Sequence, residues 1–222
     1  MTKPNINLLA VIVAVPVIGM TIISPALNKK KNDLDISFSD TQLVLTLYFI
    51  FLALGQILSG PFSDKYGSKP ILLLGATIYS ISAFAASYSS NIEILLILRC
   101  IQGFGAAACL SVGRTILSDC FEISEAAKQM SKMTAIMAII PISCFIFGGF
   151  LAEFLGWRIN LIALGVISLI LIILISLLLQ ETLLNKAKSV SFKNIFIVYK
   201  GLIKNNLMSL ICAFGDTTYK EN

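Results

Sequence analysis

Two arginines in an otherwise apolar segment are the side chains whose positions most need a chemical explanation. Arg99 and Arg114 both lie within Ile94–Leu117, which is long enough to cross a membrane. A guanidinium inside a membrane span is costly and faces a cavity or a partner, so Arg99 is expected to be functional. The alternative is a side chain that reaches back to the near end of its span, about six residues away.

The rest of the composition excludes most enzyme chemistry. There is no histidine, and therefore neither the commonest general base nor the commonest metal ligand. The five cysteines form no C-x-x-C pair and are interpreted as packing residues. With 57% apolar and 13% charged residues, against about 25% charged in soluble domains, the chain is predicted to be an integral membrane protein. It is expected not to be an enzyme, to need no cofactor and to bind no nucleic acid.

Six apolar segments, each of about 20 residues or more, account for most of the chain. Their lengths suit α-helices that cross a hydrocarbon core of about 30 Å. The first exceeds a typical signal-peptide core and is expected to be retained. The sequence therefore predicts an all-α membrane bundle of six helices, spanning Pro4–Asn28, Thr41–Ser63, Pro70–Ile92, Ile94–Leu117, Met133–Ala152 and Ile159–Gln180.

The distribution of basic residues predicts an orientation. Ten lysines lie on the side of the N-terminus, whereas Lys29, Lys30, Lys31 and Arg158 lie on the other. Because cytoplasmic loops carry the excess of lysine and arginine, the N-terminus is expected in the cytoplasm, with the protein in the inner membrane. The ten are Lys3, Lys65, Lys69, Lys128, Lys132, Lys186, Lys188, Lys193, Lys200 and Lys204.

Two loops share an internal sequence repeat. Residues 60–69 and 149–158 both read G-x-x-x-[D/E]-x-x-G-x-[K/R], with a constant offset of 89 residues. Three spans separate the copies, so the loops face opposite sides of the membrane, as in inverted repeats of transporters. Gly60 is expected to allow close helix packing, and Gly67 to adopt a positive φ in a short turn.

Several motifs carry a family resemblance. Gly55–Pro70 (GQILSGPFSDKYGSKP) resembles the loop 2–3 signature of the major facilitator superfamily, in its twelve-helix drug/proton antiporter branch. Leu98–Ala108 is similar to the R-x-x-Q-G-x-G-A-A pattern of that branch, and Arg114–Asp119 to its R-x-x-x-x-D. From about residue 8 to about 210, the chain resembles bicyclomycin- and chloramphenicol-resistance exporters.

This resemblance implies an N-terminal six-helix bundle with a three-plus-three inverted repeat, and a role for each matching residue. Asp64 would pair with Arg114 in a cytoplasmic latch, and Arg99 would serve proton coupling. A departure is that spans 1, 2, 3, 5 and 6 contain no carboxylate, although an acidic residue in helix 1 is usual in this branch. The full set is Gly60, Asp64, Lys65, Gly67, Lys69 and Arg114 for the latch, Arg99, Gln102 and Gly103 for coupling, and Pro141, Gly148 and Gly149 for packing and gating.

The sequence predicts three regions and leaves the activity open. Residues 1–182 form the bundle, 183–205 a cytoplasmic loop with an amphipathic helix, and 206–222 a truncated seventh helix with a polar tail. The leading hypothesis is the N-terminal half of a proton-coupled exporter of drugs or small metabolites. The alternatives are an inactive membrane-inserted remnant, or one chain of a split transporter whose partner is a separate C-terminal half or a second copy.

Overall fold

The computed structural model describes residues 5–25 and 38–181, and these residues form six α-helices. The predicted amphipathic helix and truncated seventh helix lie outside the described residues. The helices are α1 (Ile6–Thr21), α2 (Phe38–Tyr66), α3 (Ser68–Ser87), α4 (Ile92–Cys120), α5 (Ile123–Leu155) and α6 (Arg158–Leu178). Helices α2 to α6 are long and apolar enough to cross a membrane. The predicted all-α membrane fold is confirmed.

Helix α1 is shorter than the predicted first span. It begins after the cap Asn5, whose side chain accepts a hydrogen bond from the Asn7 N–H at 3.0 Å, and it ends at Thr21. Its 16 residues rise about 24 Å. Residues 22 and 23 form a turn, and residues 24 and 25 are helical again, so the helix is interrupted inside the apolar stretch. The predicted span continued past this point because apolar composition does not register a helix end.

Helix α4 lies at the centre of the bundle. It packs extensively against α2 and α3, and also along α1, while α1 packs on α5 and α3 packs on α6. Small residues bring these helices together: a Cβ placed at Gly105 would lie 2.7 Å from the carbonyl oxygen of Gly75. Such close backbone approach is typical of helix packing in membranes.

The close-approach role expected of Gly60 is not seen. A Cβ at Gly60 would meet no atom of the described residues within 4 Å, whereas one at Gly55 would lie 2.6 Å from the Ala107 Cβ. Five residues along an α-helix rotate the side-chain direction by about 140°. The contact with α4 therefore uses Gly55, and Gly60 faces away from it.

The internal repeat is visible in the backbone. Gly67 and Gly156, equivalent under the 89-residue offset, are the glycines with positive φ in the described residues, at 106° and 82°. The φ predicted for Gly67 is confirmed. Gly67 directly precedes α3, and Gly156 lies two residues before the start of α6. Each of these helices is the third of its repeat, so α3 and α6 are equivalent elements.

Helices α3 and α6 are joined by nearly reciprocal hydrogen bonds. The Ser80 hydroxyl donates to the Gly165 carbonyl at 3.0 Å, and the Ser168 hydroxyl donates to the Ala76 carbonyl at 2.9 Å. The two acceptors, Ala76 and Gly165, are again 89 residues apart. The helices thus run antiparallel about a pseudo-two-fold axis, as an inverted repeat requires.

Much of the outer surface is apolar. Helix α5 contributes a long exposed face, which in a membrane bundle contacts lipid or other helices. Its members are Ile139, Ile142, Phe145, Ile146, Phe147, Phe150 and Phe154.

Candidate functional site

Arg99 lies in the interior of the bundle. Its side chain is 2% exposed, and its Nη1 donates to the Gln102 Oε1 at 2.8 Å and to the Gly19 carbonyl oxygen at 3.5 Å. Its guanidinium carbon also lies 5.9 Å from the centroid of the Tyr48 ring. Arg99 therefore links α4 to α1 and α2, and it does not reach back to the end of its helix.

Two tyrosines and a glycine shape the α1 side of this network. The Tyr48 hydroxyl donates to the Pro16 carbonyl at 3.0 Å. A Cβ at Gly19 would overlap the Tyr79 hydroxyl and would lie 3.0 Å from the Tyr48 hydroxyl. Gly19 is thus required for the two hydroxyls to approach α1. We call Arg99, Gln102, Tyr48, Tyr79 and Gly19 the Arg99 network.

Gly103, predicted beside Arg99 and Gln102, has a packing function in the structure. A Cβ at this position would overlap the Tyr48 carbonyl oxygen and lie 3.3 Å from the Leu52 nitrogen. The glycine lets α4 contact the backbone of α2 directly, which holds Tyr48 against the network. Sequence analysis predicted Gly103 but not Tyr79, whose burial in α3 gives no distinctive pattern.

The charge of Arg99 has no fixed counter-ion among the described residues. All described carboxylates lie near helix ends, namely Asp40, Asp64, Glu93, Asp119, Glu122, Glu125, Glu153 and Glu181. The Arg99 Nε and the Gln102 Nε2 are buried and have no hydrogen-bond partner in the part of the chain that the structure describes. The network is therefore rich in donors and poor in acceptors.

A second cluster lies at the turn between α2 and α3. Gly67 precedes α3, and the Ser68 N–H at the start of that helix donates to the Glu181 Oε1 at 2.9 Å. The Lys69 Nζ donates to the Ser176 carbonyl, near the end of α6, at 2.8 Å. A carboxylate at a helix N-terminus and an ammonium at a helix C-terminus both oppose the helix dipole.

Glu181 was missed as a site residue by sequence reasoning. Two features of the sequence could have indicated it. A carboxylate follows the last span, and the glycine before α3 has no side-chain oxygen to accept from the first N–H groups of that helix. Because Glu181 and Ser68 are 113 residues apart, only the antiparallel packing of α3 and α6 brings them together.

The predicted latch residues lie at the same end of the bundle. Asp64 is exposed in the last turn of α2, near enough to Asp119 for their negative charges to repel each other. The Lys65 Nζ lies 4.7 Å from the centroid of the Tyr66 ring. Arg114 is exposed on α4, and no hydrogen bond or ion pair joins it to Asp64 in the described part of the chain. The latch stays a prediction.

The opposite end of the bundle holds the predicted packing residues of α5. Gly148 directly abuts α1, since a Cβ there would overlap the Ile22 carbonyl oxygen. Gly149 is less crowded, with Pro25 at 3.7 Å from its Cβ position. Pro141 lies half-buried in the interior of α5.

Asn160 joins three helices at this end and was also missed. Its Nδ2 donates to the Ile22 carbonyl at 2.9 Å and to the Gly148 carbonyl at 3.0 Å, and the side chain is fully buried. The carbonyls at a helix end lack intrahelical partners, so Asn160 satisfies one where α1 stops. The available signal was a lone amide near the start of a charge-free span.

Comparison with known proteins places this geometry in a family. The family model described as Major Facilitator Superfamily matches residues 9–217. A bicyclomycin resistance protein homolog of Haemophilus influenzae is 29% identical over 78% of this chain and 44% of the relative. A chloramphenicol resistance protein of Pseudomonas aeruginosa is 32% identical over 64% of this chain and 34% of the relative.

A third relative is multidrug resistance protein D of Escherichia coli, 27% identical over 69% of this chain and 40% of the relative. The chain thus spans less than half the length of the curated relatives it matches. A bacterial homologue of the human lysosomal transporter Spinster, solved in an inward-facing and unoccupied conformation, has the same fold, with a TM-score of 0.70, 18% identity, and coverage of 84% of this chain and 45% of the other. The chain belongs to the Major Facilitator Superfamily.

Proposed function

We propose that this chain supplies the N-terminal bundle of an exporter that moves drugs or other small molecules by alternating access in antiport with protons. The resistance proteins among its relatives support the substrate class. The observation that carries the proposal is the buried Arg99, held against α1 and α2 in the middle of the bundle. A permanent charge at this depth is expensive and is retained where transport needs it.

Substrate sites in this fold lie near the membrane midplane between two bundles. One bundle therefore supplies one wall, and the second wall comes in our proposal from a separate C-terminal half or from a second copy of this chain. The inner membrane is the proposed location, with the α2–α3 turn in the cytoplasm. Reporter fusions at Lys69 and at Arg158 test that orientation, because only the fusion at Lys69 is expected to report the cytoplasmic side.

The latch belongs to the same proposal. Asp64 and Arg114 would pair when the transporter opens outward and separate when it opens inward. Gly67 and Lys69 would fix the position of the turn through the Ser68–Glu181 and Lys69–Ser176 contacts. Asp64→Asn is expected to slow transport, since the neutral side chain weakens the attraction to Arg114. Unchanged transport would contradict the latch.

The direct test is drug accumulation in cells that lack their own exporters. We expect the chain co-expressed with the C-terminal half of a chloramphenicol-resistance relative to lower the steady-state level of a fluorescent drug. The chain alone is expected to leave that level unchanged. Membrane insertion is verified in both samples, so that an unchanged level in the paired sample argues against export.

A further inference from the structure

We propose that the Arg99 network binds a small anion, which is either a free inorganic ion such as chloride or the carboxylate group of an organic molecule. The inference goes beyond drug export and does not require it. It begins from a mismatch in hydrogen-bonding capacity. A guanidinium has five N–H donors, no acceptor and a permanent positive charge.

The protein satisfies only part of this capacity. Arg99 Nη1 reaches one strong acceptor, the Gln102 Oε1 at 2.8 Å, and one distant acceptor, the Gly19 carbonyl at 3.5 Å. The Arg99 Nε is buried and has no hydrogen-bond partner within residues 5–25 and 38–181. An unsatisfied buried donor carries the full cost of its lost hydration, and that cost is larger when the group is charged.

Gln102 adds a second unsatisfied donor at the same place. Its oxygen accepts from Arg99, while its Nε2 is buried without an acceptor. The amide nitrogen is bonded to the same carbon as that oxygen, so it lies beside the guanidinium. Residues three apart share a helix face, which keeps the two side chains together.

No fixed negative charge among the described residues compensates Arg99, because the described carboxylates lie near helix ends. The Tyr48 hydroxyl donates to Pro16, and the Tyr79 hydroxyl is buried without a hydrogen-bond partner among the described residues; both are neutral groups that supply no counter-charge. A buried charge is stabilised when it is paired and fully hydrogen-bonded. An anionic acceptor would supply both the counter-charge and the missing hydrogen bonds.

Burial restricts the size of the ligand. Arg99 is 2% exposed and Gln102 is 0% exposed, so the site suits an ion or a group of a few atoms rather than a whole drug. Chloride and a carboxylate share the required chemistry, a single negative charge that accepts several hydrogen bonds. The test below separates these two sources.

The first measurement is thermal unfolding of the full 222-residue chain in detergent micelles, followed through its single tryptophan, Trp157. Sodium gluconate, whose anion is bulky, is replaced stepwise by sodium chloride, sodium acetate or sodium benzoate at constant ionic strength. We expect at least one small anion to raise Tm saturably. At ten times its dissociation constant the expected rise is about 3–6 °C.

Variants assign the effect to the site. Arg99→Gln is expected to abolish the anion-dependent rise in Tm, because the charge is removed. Lys132→Gln removes one positive charge at an exposed position of α5 and is expected to leave the rise intact. Gln102→Leu keeps Arg99 and removes the amide donors, so the apparent dissociation constant should increase at least about threefold.

Each outcome has a defined meaning. A saturable rise with chloride that depends on Arg99 assigns a free inorganic ion. A rise with acetate or benzoate that depends on Arg99 assigns an organic carboxylate. The proposal is overturned if the wild-type chain shows no saturable rise with any of the anions. It is also overturned if Arg99→Gln folds and keeps the same rise, and should that variant fail to fold, an undiminished response in Gln102→Leu overturns it instead.

Discussion

The turn between α2 and α3 and the turn between α5 and α6 have related backbones but different surroundings. Each contains a glycine with positive φ, Gly67 or Gly156, and each is followed by a basic residue that donates to a carbonyl near the end of the opposite helix or just beyond it. Lys69 bonds to Ser176 at 2.8 Å, and Arg158 bonds to Ser89 at 3.3 Å. The repeat therefore preserves the means by which α3 and α6 hold each other's ends.

The differences lie in charge and crowding. At the first turn, Glu181 contacts Gly67 and Ser68, so a carboxylate binds the start of α3. At the second, a Cβ on Gly156 would meet no atom of the described residues within 4 Å, and the neutral side-chain amide of Asn160 joins α1 to α5. Beside the basic residue that both ends share, the first end is thus held by a carboxylate and the second by a buried amide. The variants below test this difference, in order of decreasing effect.

Gly148→Val should have the largest effect on stability. The new side chain would overlap the Ile22 carbonyl, which is backbone and moves only with α1. We expect a loss of about 3 kcal/mol or more, at the upper end for overpacking. Gly60→Val is the matched control, since no described atom lies within 4 Å of its Cβ position, and it should change Tm much less. Equal effects of the two variants on Tm would contradict the assigned packing.

Gly67→Ala should destabilise more than Gly156→Ala. Both variants force an alanine to a positive φ with extended ψ, a conformation that essentially only glycine adopts, which costs about 1–3 kcal/mol. At Gly67 the new Cβ also displaces the Glu181 carboxylate and weakens its hydrogen bond from the Ser68 N–H, which adds about 1 kcal/mol to the expected loss. Thermal unfolding measured in a Glu181→Ala background should show that Gly67→Ala no longer loses more stability than Gly156→Ala. An excess that persists there would mean that Glu181 is not its cause.

Asn160→Leu should cost about 1–2 kcal/mol, because the Ile22 and Gly148 carbonyls lose their shared donor within the membrane. The equivalent position of the first repeat is Ile71, which offers no such donor. Ile71→Leu is therefore the control and should shift the free energy of unfolding by less than about 1 kcal/mol. If the two substitutions are equally mild, the amide clamp does not stabilise this end.

Lys69→Met and Arg158→Met should have the smallest and most similar effects. Each removes one charge-assisted bond to a helix-end carbonyl, worth below about 1 kcal/mol at a partly exposed site. Tm measured in low and high salt should show a modest loss for each variant that shrinks as salt screens the charge. A large loss for one variant only would break the equivalence of the two ends.

Sequence alone was sufficient for the helices and the repeat. Apolar length locates all six described helices, although it misses the end of α1, and two glycines with a basic residue at constant spacing reveal the inverted copies. The sequence also identifies Arg99, because a charged residue stands out within an apolar segment.

Sequence was insufficient where contacts join distant residues of ordinary type. Helix packing brings Ser68 to Glu181 and Asn160 to Ile22. The local sequence around these residues does not indicate either hydrogen bond. The close packing expected at Gly60 is not seen for a related reason, since a motif does not show whether its glycine lies on the helix face that contacts a neighbouring helix. Helix α1 ends earlier than predicted because a turn at residues 22 and 23 interrupts the helix inside an apolar stretch, and apolar composition does not indicate such a turn.

The central claim is that Arg99 serves transport in a bundle that needs a second bundle to export. It is tested most directly by proton-dependent drug accumulation in inverted membrane vesicles holding this chain and a C-terminal half from a resistance relative. We predict that imposing a proton gradient drives uptake in the paired wild type and with Lys132→Gln, and that Arg99→Gln inserts normally but loses this uptake. Gradient-driven uptake that persists at the wild-type rate with Arg99→Gln would contradict the account.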